Sequence, residues 1–186
     1  AGSPRPVAFR SGGFACNDDT FLAVSENGLL FDSSINPTMP ASRPDAVHSS
    51  KAGIAEPFQH DGLTLLPMSI FRDGFGRLRH AQLGACSAGE LLGALHGAAC
   101  AEWPAFVLLA HNFELLASGQ STPDWVVVRR FEKVCRHLAD NADELPTRGF
   151  DDLPAIPNPR GLEPPTVTKA ATLPRWRTPC WPCRAA

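Results

Sequence analysis

The 186-residue sequence has no apolar run long enough to cross a bilayer: stretches such as Phe106–Ala110 fall far short of the roughly 20 residues a helical span needs. Residues 1–20 lack the charged-then-apolar order of a signal peptide, so nothing marks export. An excess of either charge is also missing. A formal charge of −2 and a pI near 6.3 give no general attraction for nucleic acid or anionic membrane, and no basic stripe is interleaved with aromatics. Neither a nucleic-acid partner nor a membrane span is expected. The phosphate-loop patterns GxGxxG and GxxxxGK[ST] do not occur, so Gly12-Gly13 stands as a flexible turn and not a phosphate cradle. His48, His60, His80 and His96 lack the HxxxH or HExxH spacing that puts two imidazoles on one metal, and no internal repeat is visible.

What is present fits one globular domain with a sizeable core: 44% of residues are hydrophobic and 19% charged. The six cysteines, at 16, 86, 100, 135, 180 and 183, do not resemble a disulfide framework, with Cys86, Cys100 and Cys135 falling in helical patterns. Free thiols favour a reduced compartment, and a cytoplasmic location is expected. Cys180-Trp181-Pro182-Cys183 has the spacing of a redox or zinc half-site, yet it lies in a proline-rich end without a second ligand pair. The first residue is Ala and a strand begins near Pro6, so an upstream segment is expected to be missing.

Arg5–Phe9 reads as a short buried strand, followed by a turn at Ser11-Gly12-Gly13. Asn17 is the expected N-cap of a helix with Asp18 and Asp19 in its first turn, Phe21, Leu22 and Val24–Ser25 facing inward, and Gly28 as its stop. Leu29–Phe31 is the next strand. Four prolines between Asn36 and Asp61 predict a long connection, and Leu63–Phe71 a further strand interrupted or ended at Pro67. Ser87-Ala88-Gly89-Glu90 is a capping box opening a helix to about Ala101. Ala105–Ala110 suits a strand buried on both faces of a parallel sheet. Thr122-Pro123 opens another helix, with Val128, Phe131, Cys135 and Leu138 as its apolar stripe. The alternation argues for parallel βα units. Nine of the 18 prolines fall in residues 144–186, which predicts a largely irregular tail, packed at most near Phe150.

Two polar residues follow apolar strands, where α/β folds keep their chemistry. His111 can exchange a proton near neutral pH, or be a strand-end histidine satisfied by backbone groups. Arg10 can hold a catalytic carboxylate in its ionised form, or be a structural ion pair, for example with Asp32. Glu114, three residues after His111, orients that imidazole if the segment turns helical and is otherwise a surface carboxylate.

The segments Pro6-Val7-Ala8-Phe9-Arg10-Ser11-Gly12-Gly13-Phe14 and Gly28-Leu29-Leu30-Phe31-Asp32-Ser33-Ser34 resemble the polysaccharide deacetylase family, carbohydrate esterase family four. Members carry an arginine-containing glycine turn after a barrel strand, a helix, and a strand ending in Asp-Ser-Ser. Leu109-Ala110-His111-Asn112-Phe113-Glu114-Leu115 is similar to the family's Leu-x-His motif on a late strand, and the helix with Arg129-Arg130-Phe131 follows in the expected order. The match covers roughly residues 5–145, and its specificity lies in the order of segments.

The resemblance implies an α/β fold, a partial distorted (β/α) barrel, that removes the acetyl group from an N-acetylated oligosaccharide or polysaccharide with a divalent metal, zinc or similar. In that chemistry the metal polarises the amide carbonyl and its water, an aspartate takes the water's proton, and a histidine protonates the departing amine. Carried across, His111 is the acid, Arg10 steadies the aspartate, Gly12, Gly13 and Asn112 contact the sugar, and the Arg10 guanidinium and His111 imidazole converge on one rim of a partial barrel. The family's paired aspartates and His-x-x-x-His motif lie upstream of the arginine turn, where this sequence has nine residues and no histidine. An Asp closely followed by Trp, which lines the family's acetyl pocket, is not found after Leu63–Phe71. Residues 1–145 are therefore read as the C-terminal part of such a barrel, inactive alone, and 146–186 as the tail. The alternatives are a noncatalytic carbohydrate-binding or scaffold domain from the same barrel and, more remotely, a thiol-redox module on Cys180 and Cys183.

Overall fold

The structure, a computed structural model, describes residues 5–40, 42, 44, 45, 56–117 and 121–177. They divide into two compact units: one drawn from Ala1–Ile70, Ala101–Val107 and Arg148–Pro164, the other from Phe71–Cys100, Leu108–Thr147 and Pro165–Ala186.

The first unit is built on a four-stranded sheet. Strand β1 (Ala8–Phe9) pairs in parallel with β2 (Phe31–Asp32), Ala8 opposite Phe31 and Phe9 opposite Asp32. Between them runs helix α1 (Asp18–Glu26). Its start is fixed locally: the Asn17 carboxamide oxygen accepts from Thr20 N at 3.0 Å while Thr20 Oγ1 accepts from Asn17 N at 3.2 Å. Gly28 follows the C-cap with φ +70°, the left-handed geometry that suits glycine. Phe21 and Val24 point into a core with Cys16, Ile35, Phe58, Leu63 and Leu65, whereas Leu22, expected on that face, is 59% exposed.

β2 pairs in parallel with β4 (Leu63–Leu65), and β4 pairs antiparallel with β3 (Phe58–His60), Phe58 opposite Leu65. The long connection expected to reach Asp61 thus ends in a hairpin. Asp61 and Gly62 both take positive φ, 48° and 82°, the geometry of a tight Asp-Gly hairpin turn. The expected single strand Leu63–Phe71 is two strands, β4 and β5 (Ile70–Arg72), separated around Pro67, which has no N–H to donate to a ladder.

In the second unit β5 and β6 (Leu78–His80) form a two-stranded sheet. Helix α2 (Ala88–Cys100) opens on the expected capping box: Ser87 N donates to Glu90 Oε2 at 2.8 Å, and Glu90 N donates to Ser87 Oγ at 3.0 Å. Cys86 lies just before this helix and not inside it. The expected strand Ala105–Ala110 is absent: Leu109 makes a single parallel bridge to Gln82, and of Ala105–Ala110 only Leu109 is buried. Helix α3 (Trp125–Asp140) is capped by Asp124, whose carboxylate accepts from Val126 N and Val127 N, so Pro123 precedes the helix instead of opening it. Its buried stripe is Val127, Arg130 and Val134; Phe131 and Cys135, expected inside, are exposed. Arg130 takes the inward position because its guanidinium donates to the Leu83 carbonyl at 2.5 Å.

Between Pro146 and Thr168 the proline-rich segment has no helix or strand beyond the short 3-10 turn Phe150–Asp152. Phe150 packs on Phe31 with ring centroids 5.2 Å apart, as expected. Beyond it, Arg72 N donates to Pro165 O, Val167 N donates to Arg72 O, and a helical turn α4 (Lys169–Thr172) follows. Gly89, Gly93 and Gly97 form a stripe along α2 that lets this segment lie against the helix: a Cβ on Gly97 would stand 2.7 Å from Pro165 Cβ, and one on Gly89 3.3 Å from the Ala171 backbone. No closed barrel is present among the described residues.

Candidate functional site

Arg10 leaves the end of β1 beside the end of β2 in the first unit. Its Nε donates to the Ser33 carbonyl at 3.1 Å and its Nη2 to Ser33 Oγ at 2.9 Å, and Ser33 Oγ donates in turn to Leu66 O at 2.8 Å. Asp32, fully buried, accepts from Ser34 N and Ser34 Oγ, both at 2.8 Å, and Ser34 Oγ accepts from Ser11 N at 2.9 Å. Arg10 therefore does not form the contact ion pair with Asp32 that one reading expected; its hydrogen bonds go to Ser33. Its charge still acts: burial pushes the Asp32 carboxyl above the ordinary range, opposed by the two Ser34 hydrogen bonds and by Arg10. Burial lowers Arg10 itself, with Asp32 opposing.

Gly12 and Gly13 form a short 3-10 turn ending in Phe14. Gly13 has φ +61° and Phe14 φ 58°, so the turn is tight enough to force a buried aromatic into the left-handed region. Both glycines are exposed, and nothing stands within 4 Å of where a Cβ would be. Their backbone is open to a ligand.

His111 belongs to the second unit and immediately precedes a 3-10 turn, Asn112–Leu115. That turn brings Glu114 back toward the imidazole, with Glu114 Oε1 3.2 Å from His111 Nδ1. The two side chains differ sharply in environment: His111 is 42% exposed and Glu114 10%. The His111 ring stacks on Phe113, centroids 4.8 Å apart and 23° between planes. Asn112 is exposed, and its side-chain oxygen accepts from Phe113 N at 2.9 Å.

Glu114 is not the surface carboxylate its position in the sequence suggests. Its Oε2 accepts from Gly84 N at 3.0 Å and its Oε1 from Gln82 Nε2, while Gln82 Oε1 meets His80 Nε2 at 2.8 Å. A Cβ on Gly84 would stand 2.9 Å from the Glu114 carboxyl carbon, so any larger residue there moves the carboxylate. Sequence reasoning passed over Gln82. Its signal is a polar residue inside the apolar pair Ala81 and Leu83, both fully or nearly fully buried, where an amide needs a partner. Burial, against the Gln82 hydrogen bond, lowers His80 below the ordinary imidazole value.

Among the described residues no three of His, Cys, Asp or Glu gather as a ligand set. His96 and His137 do meet, Nε2 to Nε2 at 2.8 Å, across α2 and α3, a pairing that sequence spacing does not reveal. Beside them a groove of about 410 Å³ runs along α3, lined by Arg129, Lys133, Arg136, Glu132 and Asp140 in mixed charge. Cys16, Cys86, Cys100 and Cys135 are free thiols, and burial pushes Cys86 up to about 11, which makes it a poor nucleophile. His48 and the Cys180–Cys183 pair lie outside the described residues.

Comparison with known proteins gives no match to this chain: not a family model, not a curated protein, not a solved structure. Among the described residues no helix is long and apolar enough to cross a membrane.

Proposed function

We propose that this chain serves the hydrolysis of the acetamide of an N-acetylated sugar or polysaccharide, as a carbohydrate N-deacetylase of the polysaccharide deacetylase type. The observation that carries the reading is an exposed imidazole, His111, with a largely buried carboxylate 3.2 Å from its Nδ1. A carboxylate at one ring nitrogen orients the ring and leaves the other nitrogen for a substrate. In the reaction the oxygen of water joins the carbonyl carbon and the C–N bond breaks; the nitrogen's electron pair takes a proton from His111, one proton of the water is passed back to replace it, and acetic acid, ionised to acetate at neutral pH, and a free amine result.

Arg10 supports the reading as the cation that favours the ionised form of a nearby carboxylate. Gly12 and Gly13 in the first unit have open backbone and Asn112 in the second has an exposed side chain, each taken by itself as a contact for sugar. A second reading is a noncatalytic carbohydrate-binding or scaffold domain from the same barrel.

The test is acetate release from an N-acetylated chitooligosaccharide by the protein expressed from its complete reading frame, with added zinc and with chelator. Under the first reading His111→Ala lowers release by about 100-fold or more. Release indifferent to both chelator and His111→Ala overturns it. Saturable binding of the oligosaccharide with no release under either condition decides for the second.

A further inference from the structure

We infer that Glu114 and Gln82 are positioning residues that fix the tautomer of His111, holding its proton on Nδ1 and leaving Nε2 as the nitrogen that exchanges protons with a ligand. The inference deepens the deacetylase reading and, for its role in catalysis, rests on it. Its structural content does not.

The argument is donor and acceptor accounting along four side chains of the second unit. As a carboxylate, Glu114 only accepts, and three groups converge on it: Gly84 N, Gln82 Nε2 and His111 Nδ1. With the Gln82 amide nitrogen donating to Glu114, its oxygen is turned to His80, so His80 must donate from Nε2. His80 suits that part, since its burial favours the neutral ring. Every hydrogen bond then points the same way: His80 to Gln82, Gln82 to Glu114, and His111 Nδ1 to Glu114. The order cannot be reversed at His111 without placing a lone pair against a carboxylate oxygen at 3.2 Å.

The packing around the carboxylate reinforces this. Gly84 gives Glu114 room and a backbone donor, and the Phe113 ring stacked on His111 limits rotation of the imidazole. Glu114 lies three residues after His111 on a 3-10 turn, so its own backbone brings it into range. Gln82, from the segment before α2, sets which way it faces. A half-buried amide between a half-buried imidazole and a half-buried carboxylate is costly to assemble unless each group has a partner, and here each has one.

The test reads the ring directly and needs no substrate. In nitrogen–proton correlation spectra of the 15N-labelled full chain at alkaline pH, where neutral rings dominate, His111 is expected to carry its proton on Nδ1. In Glu114→Ala it is expected to revert to the Nε2–H form that isolated imidazoles favour, and in Gln82→Ala to move part of the way. A wild-type His111 with its neutral-form proton on Nε2 overturns the inference, whether or not either variant folds. Under the deacetylase reading Glu114→Ala also lowers kcat by about 100-fold while leaving KM nearly unchanged. The two claims fail separately: an Nδ1–H ring in a chain that releases no acetate sinks the deacetylase reading and leaves the positioning role, whereas acetate release with an Nε2–H ring sinks the positioning role alone.

Discussion

Asp32 in the first unit and Asp73 in the second are near-twins that titrate in opposite directions. Each stands at the end of a two- or three-residue strand, each is buried to 1% exposure or less, and each accepts backbone N–H groups from the turn that follows. Burial pushes both upward. Asp32 ends above the ordinary carboxylate range, because Arg10 spends its donors on Ser33. Asp73 ends below it, because Arg175 Nη2 sits 2.9 Å from Asp73 Oδ2, joined by hydrogen bonds from Phe75 N and Arg77 N. The lesson is that burial alone does not set the sign; a cation at contact distance does.

Arg175 also stands 3.0 Å from the fully buried Glu90, so it serves two carboxylates. Arg175→Ala breaks the comparison outright: it leaves both carboxylates without their cation, and urea denaturation is expected to show a loss of about 3–5 kcal/mol. Gly74→Ala attacks the same contact from the other side. A Cβ there would stand 2.5 Å from Lys169 Cα and 2.6 Å from Lys169 N, both backbone, so the segment that carries Arg175 has to shift. A loss of roughly 1–3 kcal/mol in the same assay is expected.

The pH dependence sharpens the comparison without breaking it. Asp73 has a depressed value, so its contribution to stability is present above the unfolded-state value and is lost as pH falls through the folded one. Asp32 has a raised value, so its contribution is present below the unfolded-state value and is lost as pH rises toward the folded one. Stability-against-pH curves for Asp73→Asn and Asp32→Asn are expected to lose slope of opposite sign, the first on the acid side of the ordinary carboxylate range and the second just above it. The smallest effect is Arg10→Gln: removing the charge lets the Asp32 titration midpoint, followed by carboxyl carbon shifts, move further up.

Much of the local structure was legible in the residues. Asn17, Gly28 and the Ser87–Glu90 box were readable because a cap is completed within a few positions of the chain. The Asp61-Gly62 hairpin carried an equally local signal between Phe58–His60 and Leu63–Leu65, but it stood at the end of a proline-rich stretch read as a single loop. Other elements were not legible. The inward face of α3 is turned by Arg130, whose partner is a carbonyl 47 residues earlier in the chain. The segment after Pro164 looked irregular because proline excludes it from regular ladders, yet single bonds at Arg72 and the glycine stripe of α2 still seat it. His111 follows an apolar run that is a single bridge and not a buried strand. Glu114 lies within reach of it along the chain, but its partly buried setting depends on Gln82 and Gly84, about 30 residues away.

The sequence by itself determined the helix starts, the tight turns at glycine and the identity of the groups able to carry charge or a proton, since each follows from covalent geometry and neighbours within about four residues. Only the tertiary structure decided which carboxylate meets a cation and which imidazole meets a carboxylate held out of water. Arg175 and Asp73 are 102 positions apart, Gln82 and Glu114 are 32 apart, and a charge or amide at that separation has no preferred partner until burial removes water as the competitor.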